Sequence, residues 1–164
     1  MSIREYLRSH SVPFVAVLHR PVPTATRLAH SMHVDGKQVA KGVLIRTGEG
    51  FALAVIPSTH RVSLDRLAGL LGQASVSLAT EAELQHVFHD CEYGAIPPFG
   101  RLYGLSTFLD SALSSRSELV LPGNTRHEAI RIRLRDYMRV ESPRLGRLAD
   151  PIHPPRRKLD RKAG

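Results

Sequence analysis

A lysine at the head of an apolar run, a stiff loop of glycine and proline, and one thiol are the groups in this chain with chemistry to offer. Lys41 precedes Gly42, Val43, Leu44 and Ile45, so its ammonium stands where a buried strand meets the surface. Two readings stand for it: a solvated lysine at a strand end, or a cation at the rim of a pocket that grips a phosphate or a carbonyl oxygen. In the loop GAIPPFG, Pro97 and Pro98 remove two backbone donors and hold Ile96 and Pro97 extended, while Gly94 and Gly100 let a ligand approach the backbone. Such a loop binds a carbonyl or hydroxyl through N–H groups on its glycine side, or else serves only as a rigid turn. Cys91 lies two positions after His89. A thiol beside a base is a nucleophile, and a thiol at the end of an apolar helix is packing; the second reading is the one expected here.

Other enzymatic signatures are missing from the sequence. There is no G-x-S-x-G nucleophile elbow, no G-x-x-x-x-G-K-[ST] phosphate loop and no G-x-G-x-x-G after a strand. Ser106, in the run Gly104, Leu105, Ser106, Thr107, lacks the second glycine that a nucleophile elbow needs, and is read as structural. The pairs His30/His33 and His86/His89 are spaced to share a helical face, but the spacing matches no usual zinc pattern, so neither a metal nor a cofactor is expected.

The elements that must position these groups follow from local signals. Ser2 and Glu5 form a capping box before Ile3, Tyr6 and Leu7, which predicts a short opening helix. Residues 13–18 read as a strand. Thr24 caps a helix in which Ala25, Leu28, Ala29 and Met32 share a face, and Asp35 with Gly36 turns the chain. The apolar runs 39–46 and 51–56, separated by Thr47, Gly48, Glu49 and Gly50, predict a hairpin in a well-buried sheet. Leu64, Leu67, Leu70 and Leu71 space out a helix that stops at Gly72; residues 74–78 are a short strand; Thr80 with Glu83 caps a further helix that runs to about Asp90. Segments 102–109, 118–121 and 129–132 follow, with a turn at Pro122, Gly123 and Asn124 and a last helix over 134–138. Strands and helices alternate without a fixed repeat. The expected class is a single α/β (α+β) domain with a mixed, partly barrel-like sheet surrounded by helices.

The 164 residues, 42% hydrophobic and 23% charged, are enough for one globular domain with its own core. A single cysteine excludes an internal disulfide, and no stretch approaches the roughly 20 apolar residues of a membrane span, so a cytoplasmic protein is expected. The net charge of +8 suggests a polyanionic partner. Residues 141–164 hold seven basic residues against three acidic ones, together with four of the eleven prolines. The expected division is therefore a folded domain over 1–141 and a basic, proline-rich tail over 142–164 that could serve as an electrostatic arm.

Taken together, the strand VAKGVLI, the leucine helix ending in LLG, the loop CEYGAIPPFG with its G-x-x-x-P core and the segment ELVLPGNTRHEAIRI resemble the YbaK/prolyl-tRNA editing-domain family. The resemblance runs in order over residues 1–141. It implies a hydrolase acting in trans on misacylated tRNA, cleaving the aminoacyl ester of a small amino acid on the tRNA for proline or a related tRNA. A tRNA synthetase or an elongation factor is the further partner it suggests. The family's lysine falls on Lys41 and its loop on Gly94 and Pro98, which become the expected catalytic residues. Ala95, Ile96, Pro97, Gly123, Asn124, Thr125 and His127 become the expected substrate-binding residues. Tyr93, Phe99 and Tyr103 offer a stacking wall for the terminal adenine or belong to the core. The sequence departs from the family at Gly42, where Thr is common. A non-catalytic module of the same fold, binding tRNA or an aminoacyl ligand, is the alternative.

Overall fold

The computed structural model of the chain describes residues 1–20, Arg27, Ala29, Met32 and 34–152. The helix expected after Thr24, and the pair His30/His33, fall largely outside these residues.

The first helix, α1 (Ile3–Ser9), opens on the expected capping box: the Ser2 hydroxyl accepts from the Glu5 N–H, and the Glu5 carboxylate accepts from the Ser2 N–H at 2.8 Å. Its Ile3, Tyr6 and Leu7 are buried. β1 (Val15–Leu18) follows, then the hairpin of β2 (Ala40–Thr47) and β3 (Gly50–Pro57), paired antiparallel in full register from Ala40 opposite Pro57 to Thr47 opposite Gly50. A three-residue strand, β4 (His60–Val62), leads into α2 (Leu64–Leu71), which Ser63 caps and Gly72 ends. β5 (Ser77–Leu78) covers part of the β2 edge, and α3 (Glu81–Val87) begins on the second capping box, Thr80 with Glu83. After the proline loop come β6 (Ser106–Asp110), β7 (Glu118–Pro122), β8 (Glu128–Arg133) and α4 (Leu134–Glu141).

Two sheets result. The larger runs β5-β2-β3-β6 and closes on a further strand, with β6 parallel to β3; the smaller is antiparallel in the order β1-β8-β7. A parallel bridge between Val39 and Val120 joins the smaller sheet to the strand that leads into β2. Because successive strand residues face opposite ways, β2 and β3 divide between two cores. Ala40, Leu44, Leu53 and Val55 pack with Ile3 and Leu7 of α1, Leu119, Leu121, Ile130 and Ile132 of the small sheet, and Tyr137 and Val140 of α4. Ile45, Ala52, Ala54 and Ile56 pack with Leu67 of α2, Phe108 and Leu148. Burying each large side chain from both faces stabilises by about 1.5–3 kcal/mol, which is why this hairpin is the spine of the fold. The mixed α/β domain is as the alternation of elements implies.

The chain past residue 141 differs from the expected tail. β9 (Arg144–Gly146) adds to the large sheet parallel to β6, and β10 (Ala149–Pro151) pairs antiparallel with β4. Leu148 and Ala149 are buried, and both of their N–H groups donate to one oxygen of the buried Asp110 carboxylate, at 2.8 and 3.1 Å. A buried carboxylate requires such donors, and this one draws the segment onto the sheet. The folded body therefore continues through residues 144–151, and residues 153–164 of the expected tail lie outside the described residues.

Candidate functional site

The proline loop starts where α3 ends. Phe88 is buried, and the Cys91 N–H donates to its carbonyl at 3.1 Å. Residues 92–95 then form a tight turn closed by the Ala95 N–H on the Glu92 carbonyl at 3.0 Å, with Gly94 in the third position at φ +81°. Gly94 is exposed, whereas Ala95, Pro97, Pro98 and Phe99 are buried. The Phe99 ring lies edge-on to Tyr137, with centroids 5.2 Å apart, and the Tyr137 hydroxyl donates to the Pro98 carbonyl at 2.7 Å. The loop is thus bolted down at its proline end and open at its glycine end.

Gly42 is where β2 meets this loop. A side-chain carbon added there would lie 3.6 Å from Pro98 Cα, 3.7 Å from Ile96 and 3.2 Å from Leu53. A lone carbon there would only touch the loop, whereas any larger side chain would run into it. Lys41, its neighbour, is directed by strand alternation to the opposite face, which it shares with Val43 and Ile45. It is half-buried and forms no hydrogen bond or ion pair with any described residue. Burial lowers its pKa from the ordinary lysine value, and the Arg61 guanidinium lowers it further. Two cations near each other, neither in an ion pair with a described carboxylate, make a place where an anion is favoured.

The turn expected to wall the pocket docks against the loop. The Asn124 carbonyl accepts from the Glu92 N–H at 2.8 Å, and the Asn124 side chain accepts from the Ile3 N–H at 2.8 Å, at the start of α1. The Glu92 carboxylate in turn accepts from the Arg126 N–H at 2.8 Å. Gly123 is buried beneath Glu128, and the half-buried Thr125 accepts from the His127 N–H at 3.3 Å. His127 itself is exposed; its carbonyl holds the His19 N–H at 2.8 Å, just past β1. The structure therefore gathers 94–98 and 123–125 and seats the loop against Gly42, while the Lys41 side chain leaves β2 on the other face and His127 stands on the surface.

A cavity of about 600 Å³ opens beside the loop, lined by Phe88, Cys91, Tyr93, Gly94 and Ile96 with the carboxylates of Glu81 and Glu92. Its volume suits a small organic ligand. Of the aromatic residues proposed as a stacking wall, Phe99 is core and the half-buried Tyr103 lies edge-on to Phe88, 4.7 Å between centroids. Tyr93 is 65% exposed and free to meet a ligand, its hydroxyl donating to Glu81 at 2.6 Å. Cys91 is half-buried between Tyr103, Asp90 and Asn124, and burial pushes its thiol up to about 11. At neutral pH it stays protonated and is a poor nucleophile.

Sequence reasoning did not single out Arg61, which sits on the short β4, nor Tyr137 and Glu141 on α4. The last two carry a legible signal: a carboxylate one helical turn after a tyrosine on an otherwise apolar face.

Residues 19–140 match the family model described as the aminoacyl-tRNA editing domain. The multifunctional Ser/Thr-tRNA deacylase ProXp-y of Escherichia coli is 26% identical over 144 residues, covering 85% of this chain and 86% of that protein. Among solved structures, the hypothetical protein APE2540 superposes with a TM-score of 0.83 at 17% identity, over 90% of this chain and 99% of the other. A candidate trans-editing enzyme for prolyl tRNA synthetase superposes with a TM-score of 0.77 at 20% identity, over 90% and 94%.

Proposed function

Since this chain belongs to the aminoacyl-tRNA editing domain family, and is a deacylase of that class, we propose that it acts in trans on tRNA carrying a wrongly attached small amino acid. The observation that carries the reading is the 94–98 loop itself, held at its proline end by Gly42 and Tyr137 and open at its glycine end onto the cavity.

The reaction asks for little. An aminoacyl ester is already activated, so water adds to its carbonyl carbon, the carbon–oxygen bond to the terminal ribose breaks, and water's proton ends on the ribose oxygen. The products are the free amino acid and a tRNA with its terminal hydroxyl restored. The protein must orient water, meet the carbonyl oxygen and anchor the terminal nucleotide. The glycine end of the loop faces outward for the first two tasks. In this reading the substrate's own neighbouring sugar hydroxyl assists the water, which fits a site without a strong nucleophile. Lys41 supplies the cation for a terminal phosphate. Support for a small side chain comes from the Escherichia coli relative, whose name gives serine and threonine. The tRNA for proline, or a related tRNA, is the substrate the proposal names.

The test is hydrolysis of a panel of tRNAs carrying alanine, serine, threonine or their correct amino acid. Release of a small, mismatched amino acid with the cognate pairs spared is the expected result; binding of every tRNA without hydrolysis would leave only a binding module. Within the same assay, Cys91→Ser should keep activity within about threefold, because the thiol is protonated and the ester chemistry does not need it. An acyl-thioester trapped on Cys91, with the serine variant dead, would reverse that assignment.

A further inference from the structure

We propose that Tyr137 and Glu141, one turn apart on the inner face of α4, are positioning residues that hold the 94–98 loop from behind and keep it in its working shape. The proposal rests on the deacylase reading given above.

Both side chains are buried, Tyr137 at 0% and Glu141 at 1% exposure. Tyr137 provides the protein donor on the carbonyl of Pro98, at 2.7 Å, the last residue of the G-x-x-x-P run. Glu141 holds the residues just beyond it. One of its oxygens accepts from the Arg101 N–H at 3.0 Å and from the Thr107 hydroxyl of β6. Gly100 has no room for a side chain: an added carbon would fall inside contact with the Thr107 hydroxyl, 3.1 Å from the Leu105 carbonyl and 3.4 Å from Glu141. The loop rests on Gly42 of β2 at Ile96 and Pro98, and α4 pins it at the Pro98 carbonyl and at the Arg101 N–H just beyond. Two adjacent anchors on one rigid element fix the direction of the chain, where a single anchor would leave it free to pivot.

The second oxygen of Glu141 is buried and has no hydrogen-bond partner. A carboxylate is a costly way to hold two donors when one of its oxygens stays empty. Burial raises its pKa to about 7, against the hydrogen bonds from Thr107 and from the Arg101 and Gly100 backbone and the nearby Arg101 charge, all of which favour the charged form. The titratable and charged groups around it are the buried phenols of Tyr6 from α1 and Tyr137 from its own helix, and the Arg101 guanidinium from the turn after the loop. Loss of the proton strengthens the grip on the Arg101 N–H and Thr107, since hydrogen bonds to an ionised acceptor are the stronger kind. The stiffness of the loop is then tied to the charge on Glu141 near neutral pH.

The experiment compares wild type, Tyr137→Phe and Glu141→Gln for kcat, KM, thermal stability and amide hydrogen exchange at Ala95 and Phe99, the two N–H groups bonded within the loop. Tyr137→Phe keeps the ring on Phe99 and frees the Pro98 carbonyl. We expect kcat to fall about tenfold with KM little changed, and exchange at Ala95 and Phe99 to speed up. Glu141→Gln keeps an acceptor oxygen and cannot ionise, so the inflection near pH 7 in the wild-type kcat profile should vanish. Stability gives an independent sign. The folded wild type retains the Glu141 proton over a range where the unfolded chain, with a carboxyl near 4.3, has released it. Wild type should therefore lose stability relative to Glu141→Gln as pH rises from about 4.5 to about 7, and the difference should level off above that. Unchanged kcat and unchanged loop exchange in a folded Tyr137→Phe protein would overturn the proposal, as would a Glu141→Gln profile that keeps the inflection. If wild type hydrolyses no misacylated tRNA, the deacylase reading fails instead, and loop exchange in the same variants still decides whether α4 holds the loop.

Discussion

Replacing Lys41 by alanine is expected to slow deacylation by about 10²–10³ while leaving the protein folded, the usual cost of losing one preorganised electrostatic contact. The two halves of that expectation have separate grounds. Lys41 has no hydrogen bond or ion pair with any described residue, and its ammonium is disfavoured by burial and by Arg61. Removing it breaks no hydrogen bond or ion pair to a described residue and relieves a repulsion, so the melting temperature should hold or rise. A half-buried cation with no counter-ion among the described residues is, however, ready to receive one, and in the proposed reading a terminal phosphate supplies it. Arg61→Ala should then show a weaker version of the same phenotype, concentrated in KM and in the salt dependence of binding. Near-normal turnover in a folded Lys41→Ala protein would take the residue out of the mechanism.

Gly94→Ala carries the second large effect. The residue occupies the left-handed region at φ +81°, and there a Cβ costs roughly 1–2 kcal/mol. The turn either keeps its shape at that cost or relaxes, and relaxation shifts the open end of a loop whose other end α4 and Gly42 hold fixed. Because a misplacement of about 1 Å costs on the order of 100-fold in rate, the expected loss is about 10- to 100-fold, growing with the size of the amino acid. Melting temperature and deacylation of small and larger aminoacyl-tRNAs, measured on one preparation, separate the two roles of this glycine. Lower stability with the relative preference among substrates unchanged would mean that Gly94 only makes the turn.

Much of this molecule was legible along the chain because the forces concerned act within a few residues. Both capping boxes, Ser2 with Glu5 and Thr80 with Glu83, formed as their spacing implies, since each needs only side chains three positions apart. The β2–β3 hairpin followed from two apolar runs around a glycine turn, and α2 ended at Gly72. The match to residues 19–140 likewise bears out the resemblance read from the lysine strand and the G-x-x-x-P loop.

The tertiary structure alone decided what depends on distant partners. β9 and β10 are three residues each, too short to show a period, and they exist because the buried Asp110 carboxylate needs the Leu148 and Ala149 N–H groups. Phe99 went to the core and Tyr103 packed half-buried against Phe88, while Tyr93 stayed at the surface, a choice that aromatic character does not make. The Asn124 turn reached the site by capping the Ile3 N–H, 121 positions earlier in the chain. Gly42 took its meaning from Pro98, and Glu141 from Arg101 and Thr107. Local sequence sets the elements and the types of group they carry. Which of those groups meet, and which are left with an unanswered charge or an empty oxygen, is settled when the two cores close around β2 and β3, because burial then leaves each polar atom only the partners that packing brings within reach.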